Sequence, residues 1–452
     1  MNQADPALAQ HLYAQGLALQ QRGQLAEAIS AWKSAVARDS HHADARYNLA
    51  VALGASGNAA GAESSYLELL SQHPDHVQAL YNFANLKMRQ GEVATAEPLY
   101  RRLLALAPGF TNGWVNLAMA RSASGDLPEA ESCLRRALEL EPSNVGAHWN
   151  LANLLLASWR WSEAWAEYEW RLRRPQCPPP PTSAPDWMPD DTQARRILLW
   201  NDQGMGDALQ FARYARFVSA CGHEVWLFAQ DALRTLLRSV PGVSGVVGPS
   251  DPTPQVDAQA PLLSMPYRLQ LSDPGASWAG AYVTPQREMA LPRRPGHLAV
   301  GLVWASNPAH PNRVLRDVPL KQLQPLLDIP DIDWFALQVG SAAGDVAAHG
   351  FSSCIHDLSP QIHNFGDTAA AVEALDLVIT VDTSVPHLVG AMGKPCWAMI
   401  STAREWRWSG REAMSIWYPS MRLFRQSSAG DWGGVLAKIE AELRAGNLMP
   451  TR

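Results

Sequence analysis

Apolar positions recur with a period of 34 from residue 9 to about residue 175. The eighth position of each period holds Gly16, Ala50, Ala84, Ala118 and Ala152, and the twentieth holds Ala28, Ala62, Ala96, Ala130 and Ala164. The twenty-fourth holds Trp32, Tyr66, Tyr100, Leu134 and Tyr168. Small residues let two helices approach closely, and the large residue fills the next layer. Pro74, Pro108 and Pro142 close the second helix of a pair, and Gly23, Gly57, Gly91 and Gly125 mark the turn inside it. The pattern predicts helical hairpins stacked into a solenoid. The fifth period departs from it: Trp159 stands at the turn and no closing Pro follows, as expected of a cap that joins the array to what comes next.

Beyond residue 195 the pattern changes to short apolar runs separated by helical stretches. Arg196 to Asn201, Val225 to Ala229, Leu298 to Trp304, Asp333 to Gln338, Leu377 to Val381 and Cys396 to Ile400 read as strands. An amphipathic helix is expected from Ala208 to Ala220, ended by Gly222. The order is that of two Rossmann-like halves. The expected organisation is a repeat array over 1–174, a stiff Pro-rich linker over 175–195, and α/β halves over 196–295 and 296–452.

Composition narrows the function. A net charge of −6 with no long basic run argues against a nucleic-acid partner. Five cysteines lie scattered, without metal or oxidoreductase spacing, which suits a reducing compartment. No stretch approaches a transmembrane span, and the amino terminus lacks the basic and apolar regions of a signal peptide, so a cytoplasmic location is expected. Asp190 and Asp191 are read as solvated linker acids, and Asp331-Ile-Asp333 as a turn. No metal site is expected.

The period and its small residues resemble tetratricopeptide repeats. The sixth position carries Asn48, Asn82, Asn116 and Asn150. In such repeats this position lies on the first helix, which lines the concave groove. A row of amides there either pairs with the backbone of an extended peptide, as in the asparagine ladder of O-GlcNAc transferases, or bonds a neighbouring repeat.

The segment Leu377 to Ile400 carries most of the chemistry. Thr383 or Ser384 is placed to cap a helix that stops near Gly393, so Asp382, Thr383, Ser384 and His387 gather at a strand's carboxyl end and a helix amino terminus. Free N–H groups and the positive dipole end suit a phosphate there. The run resembles the donor-binding motif of lipopolysaccharide heptosyltransferases, which have the GT-B fold; Ser384 stands where that family usually has Gly. The resemblance implies that these residues hold the diphosphate of a nucleotide-sugar. Gly204-Met-Gly206-Asp207 matches the Gly-Asp of the family's first turn, which makes Asp207 the candidate general base for the acceptor hydroxyl and Gly204 and Gly206 candidate donor contacts. Arg316, in Arg316-Asp-Val-Pro-Leu320, matches a basic element and is the candidate for neutralising donor phosphate, with Arg313 as understudy. Gln338 at a strand end is the candidate contact to base or ribose. Arg407, within the aromatic-basic run Arg404 to Trp408, is the basic residue expected to face the donor, while most tryptophans nearby are expected to pack.

The resemblance implies an inverting, metal-independent glycosyltransferase without a cofactor, taking a nucleotide-diphosphate sugar as co-substrate. Its acceptor is expected to be a protein or peptide captured by the repeats, with flagellins or other surface proteins as the family analogy. The alternatives are a glycan or lipid acceptor, or a non-catalytic adaptor carrying a degenerate GT-B domain. The first Rossmann-like half is short for its kind, so the array is expected to supply part of the acceptor surface.

Overall fold

The computed structural model describes residues 5–191, 193, 195–252, 254–273, 280–310, 312–402, 405–410 and 413–448. The chain divides into two compact units, Met1–Leu154 and Leu155–Arg452.

The first unit is built of helices α1 (Pro6–Gln21), α2 (Leu25–Arg38), α3 (Ala43–Ala55), α4 (Ala59–Gln72), α5 (Val77–Arg89), α6 (Val93–Leu106), α7 (Thr111–Ser124), α8 (Leu127–Leu140) and the start of α9 (Val145–Ala157). They pair as the period predicts. The eighth position must be small because a Cβ on Gly16 would stand 2.3 Å from the indole nitrogen of the buried Trp32. Gly23, Gly57, Gly91 and Gly125 turn each hairpin at φ 78°, 83°, 80° and 91°, where a side chain is costly. Trp159 adopts φ 61° at the equivalent place, so the fifth repeat keeps the turn without the glycine. Between repeats, Ala50, Leu53, Tyr66, Leu69 and Phe83 form one continuous apolar layer.

The second unit begins with the last helix of the fifth repeat, α10 (Trp161–Tyr168). Trp161 and Trp165 pack edge-on against Trp406, with Trp417 and Phe211 completing an aromatic cluster. A four-stranded parallel sheet follows, with β1 (Arg196–Trp200), β2 (Glu224–Phe228), β3 (Val243–Val247) and β4 (Ala258–Pro261) in the order β3-β2-β1-β4. A six-stranded sheet contains β5 (Leu298–Val303), β6 (Ile332–Ala336), β7 (Ile355–Asp357), β8 (Leu377–Val381), β9 (Cys396–Ile400) and β10 (Met421–Arg425). Its order, β10-β9-β8-β5-β6-β7, is all parallel and doubly wound, and reverses direction between β5 and β8. Strands buried on both faces read as continuous apolar runs, which is why their positions follow from the sequence.

Three local expectations change. The helix after the first turn starts earlier, at Met205, and is broken by a 3-10 turn over Ala212–Tyr214 before it resumes over Ala215–Ala220. Of the Asp331-Ile-Asp333 turn only Asp331 turns, at φ 60°; Asp333 lies in β6, as the strand reading has it, where it is buried and binds Arg294 through the backbone N–H and the guanidinium, both at 2.6 Å. The Pro-rich segment is extended but not a free spacer. Trp187 is buried, its backbone N–H donates to the Gln259 backbone carbonyl at 2.7 Å, and the Gln259 backbone N–H donates to the Pro185 carbonyl at 2.9 Å.

Candidate functional site

β8 ends at Val381, and the chain turns through Asp382 and Thr383 into the helix Ser384–Ala391. Thr383 is the cap: its backbone is extended and its hydroxyl accepts the Val385 N–H at 3.2 Å. Gly393, at φ 68°, follows the helix. On the first sheet, β1 leads through Asn201 to Gly204, the cap of the helix Met205–Phe211. Asp207 closes that turn by accepting the Gly204 N–H at 2.9 Å. The two helices meet where Gly206 lies against His387.

A cavity of about 430 Å³ lies at the carboxyl edge of the second sheet. Val303, Ala305, Ser306 and Asn307 line it after β5, Leu337 to Ser341 after β6, and Thr383, Ser384 and Val385 after β8. Met205 and Ala232 reach it from the first sheet. Its place at the strand-order reversal and its mixed apolar and polar lining are those of a small-ligand site. Gln338 lines this cavity but spends its carbonyl oxygen on the N–H groups of Trp304 and Ala305, at 3.1 and 2.9 Å, so it holds the loop after β5 as well.

The charged candidates gather beside Thr383. Arg316 binds Asp382 at 3.1 Å and lies 3.8 Å from Glu405; its Nε is buried and has no hydrogen-bond partner among the described residues. Arg313 lines the cavity and pairs with Asp317 at 2.8 Å. Arg407 binds Asp207, Glu405 at 2.6 Å and the Gln210 side chain at 2.8 Å. It therefore faces the base candidate and does not line the cavity. Arg404 lies outside the described residues. Asp382 also accepts the Trp408 indole N–H at 2.8 Å, and Trp408 stacks on His387, ring centres 5.0 Å apart. The His387 Nδ1 lies 3.0 Å from the Tyr418 hydroxyl.

Burial governs the protonation of these groups. It pushes Asp382 up to about 6, aided by Glu405 and opposed by Arg316. Burial likewise raises Asp207 against the pull of Arg407, and it holds His387 neutral, with Arg407, Arg213 and Arg316 adding to the effect. A carboxylate raised this way is a stronger base than one on the surface.

A second cavity of about 450 Å³ lies at the carboxyl edge of the first sheet. Asn201, Asp202, Gln203 and Gln230 line it with Arg171 and Cys177, from the segment after α10. Arg171 and Asp202, both fully buried side chains, pair there at 2.7 Å.

In the first unit the asparagine row is engaged between repeats. Asn48 donates to the Tyr13 hydroxyl at 3.5 Å, Asn82 to Tyr47 at 2.8 Å, and Asn116 to Tyr81 at 3.2 Å and to Asn85 at 2.7 Å. Each of these tyrosines also packs on the residue that caps the next repeat's first helix, His42, His76 or Phe110. Asn150 has Val115 where the others have a tyrosine. Sequence reasoning passed over these tyrosines, although Tyr13, Tyr47 and Tyr81 obey the same period. It also missed Glu405, Trp408 and Tyr418, whose contacts depend on the fold alone.

Comparison with known proteins supports the array. Residues 13–70 match the tetratricopeptide repeat family, and residues 47–167 match the middle TPR-like domain of cilia and flagella-associated protein 70. The N-terminal region is thus a tetratricopeptide solenoid, followed by an α/β region of parallel sheets. Protein FlbA of Caulobacter vibrioides is 26% identical over 332 residues, covering 65% of this chain and 54% of FlbA. The chain spans about half the length of that relative. Among solved structures, MamA from Desulfovibrio magneticus RS-1 is 18% identical, with TM-score 0.34, covering 37% of this chain and 93% of MamA. YrrB, described as a TPR protein with an unusual peptide-binding site, is 17% identical, with TM-score 0.34, over 38% of this chain and 86% of YrrB. Among the described residues, no helix is long and apolar enough to cross a membrane.

Proposed function

We propose that the chain is an inverting glycosyltransferase of GT-B type that moves a sugar from a nucleotide-diphosphate donor to a protein segment captured by its repeats. The observation that carries this reading is the 430 Å³ cavity at the reversal of strand order, lined by the capped amino terminus of Ser384–Ala391, with the turn of Asp207 packed against the same helix. The nucleoside would occupy the cavity. The diphosphate would meet the N–H groups at Thr383 and Ser384 and the guanidinium of Arg316, whose buried Nε has no partner among the described residues, and these would steady the leaving group. Asp207 would take the proton of the acceptor hydroxyl, which is a weak nucleophile until deprotonated. The cavity of the first sheet, lined by Asn201, Asp202 and Gln203, adjoins Asp207 along the chain and is the natural acceptor side. The acceptor is proposed to be a peptide because tetratricopeptide arrays bind peptides and the array here carries an amide, Asn48, Asn82, Asn116 or Asn150, at one position of four successive repeats.

The test is calorimetry with UDP, GDP, CDP, ADP and dTDP, backed by thermal unfolding. One of them should bind, and at a hundredfold excess over Kd it should stabilise the protein by about 2.7 kcal/mol. A folded protein that binds none of the five has no donor site of this kind.

One observation favours the adaptor reading: both oxygens of Asp207 are engaged, one by Arg407 and one by the Gly204 N–H. A carboxylate keeps further acceptor capacity, so these contacts are compatible with a base. Hydrolysis of the matching nucleotide-sugar separates the two readings, since an adaptor would bind without turnover.

A further inference from the structure

Arg316 and Arg407 share one carboxylate. Glu405 directs Oε1 to Arg407 at 2.6 Å and Oε2 towards Arg316 at 3.8 Å. Each arginine also holds a carboxylate of its own, Asp382 for Arg316 and Asp207 for Arg407. These five groups carry a net charge of −1 when all are ionised, two guanidinium groups against three carboxylates. A diphosphate entering beside Thr383 would add at least two more negative charges to a partly buried, net-negative cluster. Coulomb repulsion in such surroundings costs several times what it costs in water. One carboxylate therefore has to give way.

The contacts decide which one. Asp382 is fixed by the Trp408 indole N–H at 2.8 Å, and Asp207 by the Gly204 N–H at 2.9 Å. Glu405 has neither kind of anchor: its carboxylate is held by the two arginines alone among the described contacts. It is also the most exposed of the three, at 24% against 18% and 10%. A glutamate whose two oxygens span two guanidinium groups occupies the donor faces that phosphate oxygens would use.

We propose that Glu405 is a stand-in for the donor's diphosphate, and that binding of the anion must break its contact with both arginines. This inference rests on the donor-site reading above and adds a residue that tunes affinity for the nucleotide. With Glu405 displaced, Arg316 and Arg407 balance Asp382 and Asp207, and the arginine faces turned towards Glu405 are open to phosphate oxygens. Removal of the competing carboxylate should then tighten binding.

The experiment compares wild type, Glu405→Gln and Glu405→Ala by calorimetry, with the five nucleoside diphosphates and inorganic pyrophosphate as probes, at one fixed ionic strength. Both variants should bind the matching nucleoside diphosphate about tenfold more tightly than wild type. The thermal midpoint of each variant, read without ligand, checks that it folds. A diphosphate that binds wild type and both folded variants equally, or binds the variants more weakly, would overturn the role of Glu405 and leave the donor site standing. If neither wild type nor either variant binds any probe, the donor-site reading fails and the role of Glu405 fails with it.

Discussion

The imidazole of His387 lies against the backbone of Gly206 so closely that a Cβ at position 206 would stand 2.8 Å from its Cδ2 and 3.4 Å from the Ser384 Cα. This contact joins the first turn of one sheet to the last functional turn of the other. Position 206 is glycine because space there is spent on His387, which is itself clamped between Trp408 and Tyr418.

Gly206→Ala should therefore destabilise the α/β region by about 1–3 kcal/mol, the usual cost of overpacking a closed contact. Urea unfolding gives the number. A variant as stable as wild type would mean that the two turns separate easily.

Asp207→Asn should lower sugar transfer by about two to four orders of magnitude while nucleotide affinity changes little. The substitution keeps the size of the side chain and its acceptor for the Gly204 N–H. Transfer is followed with the nucleotide-sugar whose diphosphate binds. Full activity in this variant would move the base elsewhere.

Replacing Asn82 and Asn116 together by alanine removes the bonds to Tyr47, Tyr81 and Asn85. The array should lose about 1 kcal/mol for each bond, whatever it binds. Capture of the acceptor by the full chain should weaken as well, with nucleotide affinity unchanged. Recovery of the same partner in equal amount by a destabilised but folded variant would make the amides purely structural.

Two buried groups tilt stability with pH in opposite senses. His387 is held below its ordinary 6.5, so the unfolded chain takes up its proton first and stability falls as pH drops through about 6.5, by at most about 1.4 kcal/mol per pH unit. Asp382 is raised from 3.8 to about 6, so its contribution is full below 3.8 and is lost as pH rises through about 6. His387→Gln should remove the first slope and Asp382→Asn the second. Urea midpoints at pH 7.5, 6.5 and 5.5 check both: relative to wild type, the His387 variant should gain stability on acidification and the Asp382 variant should lose it.

What the sequence carried is what local physics dictates. The repeat period, the left-handed turn glycines and the apolar strands each depend on neighbours within one hairpin or one strand, and they appear where the pattern places them. The cap at Thr383 and the turn at Asp207 were legible for the same reason. The pairing of Arg407 with Asp207, 200 residues apart, was not, because nothing in the local pattern marks a contact made by folding. The asparagine row shows the intermediate case. Its period was visible, but its partners lie one repeat back, and a repeat consensus alone does not tell a groove contact from an inter-repeat bond.

The Pro-rich segment has a consequence for how the molecule can be divided. β4 is one of the two edge strands of the first sheet, and its outward backbone groups at Gln259 are taken by Pro185 and Trp187. A bare strand edge invites pairing with another chain. The segment is thus a protective hem on the sheet, with its prolines unable to recruit a further strand. Any shortened chain that starts at β1 would strip it away, leaving an open edge and an empty socket where Trp187 had been. Such a fragment should self-associate, whereas one that begins before Thr182 keeps its hem.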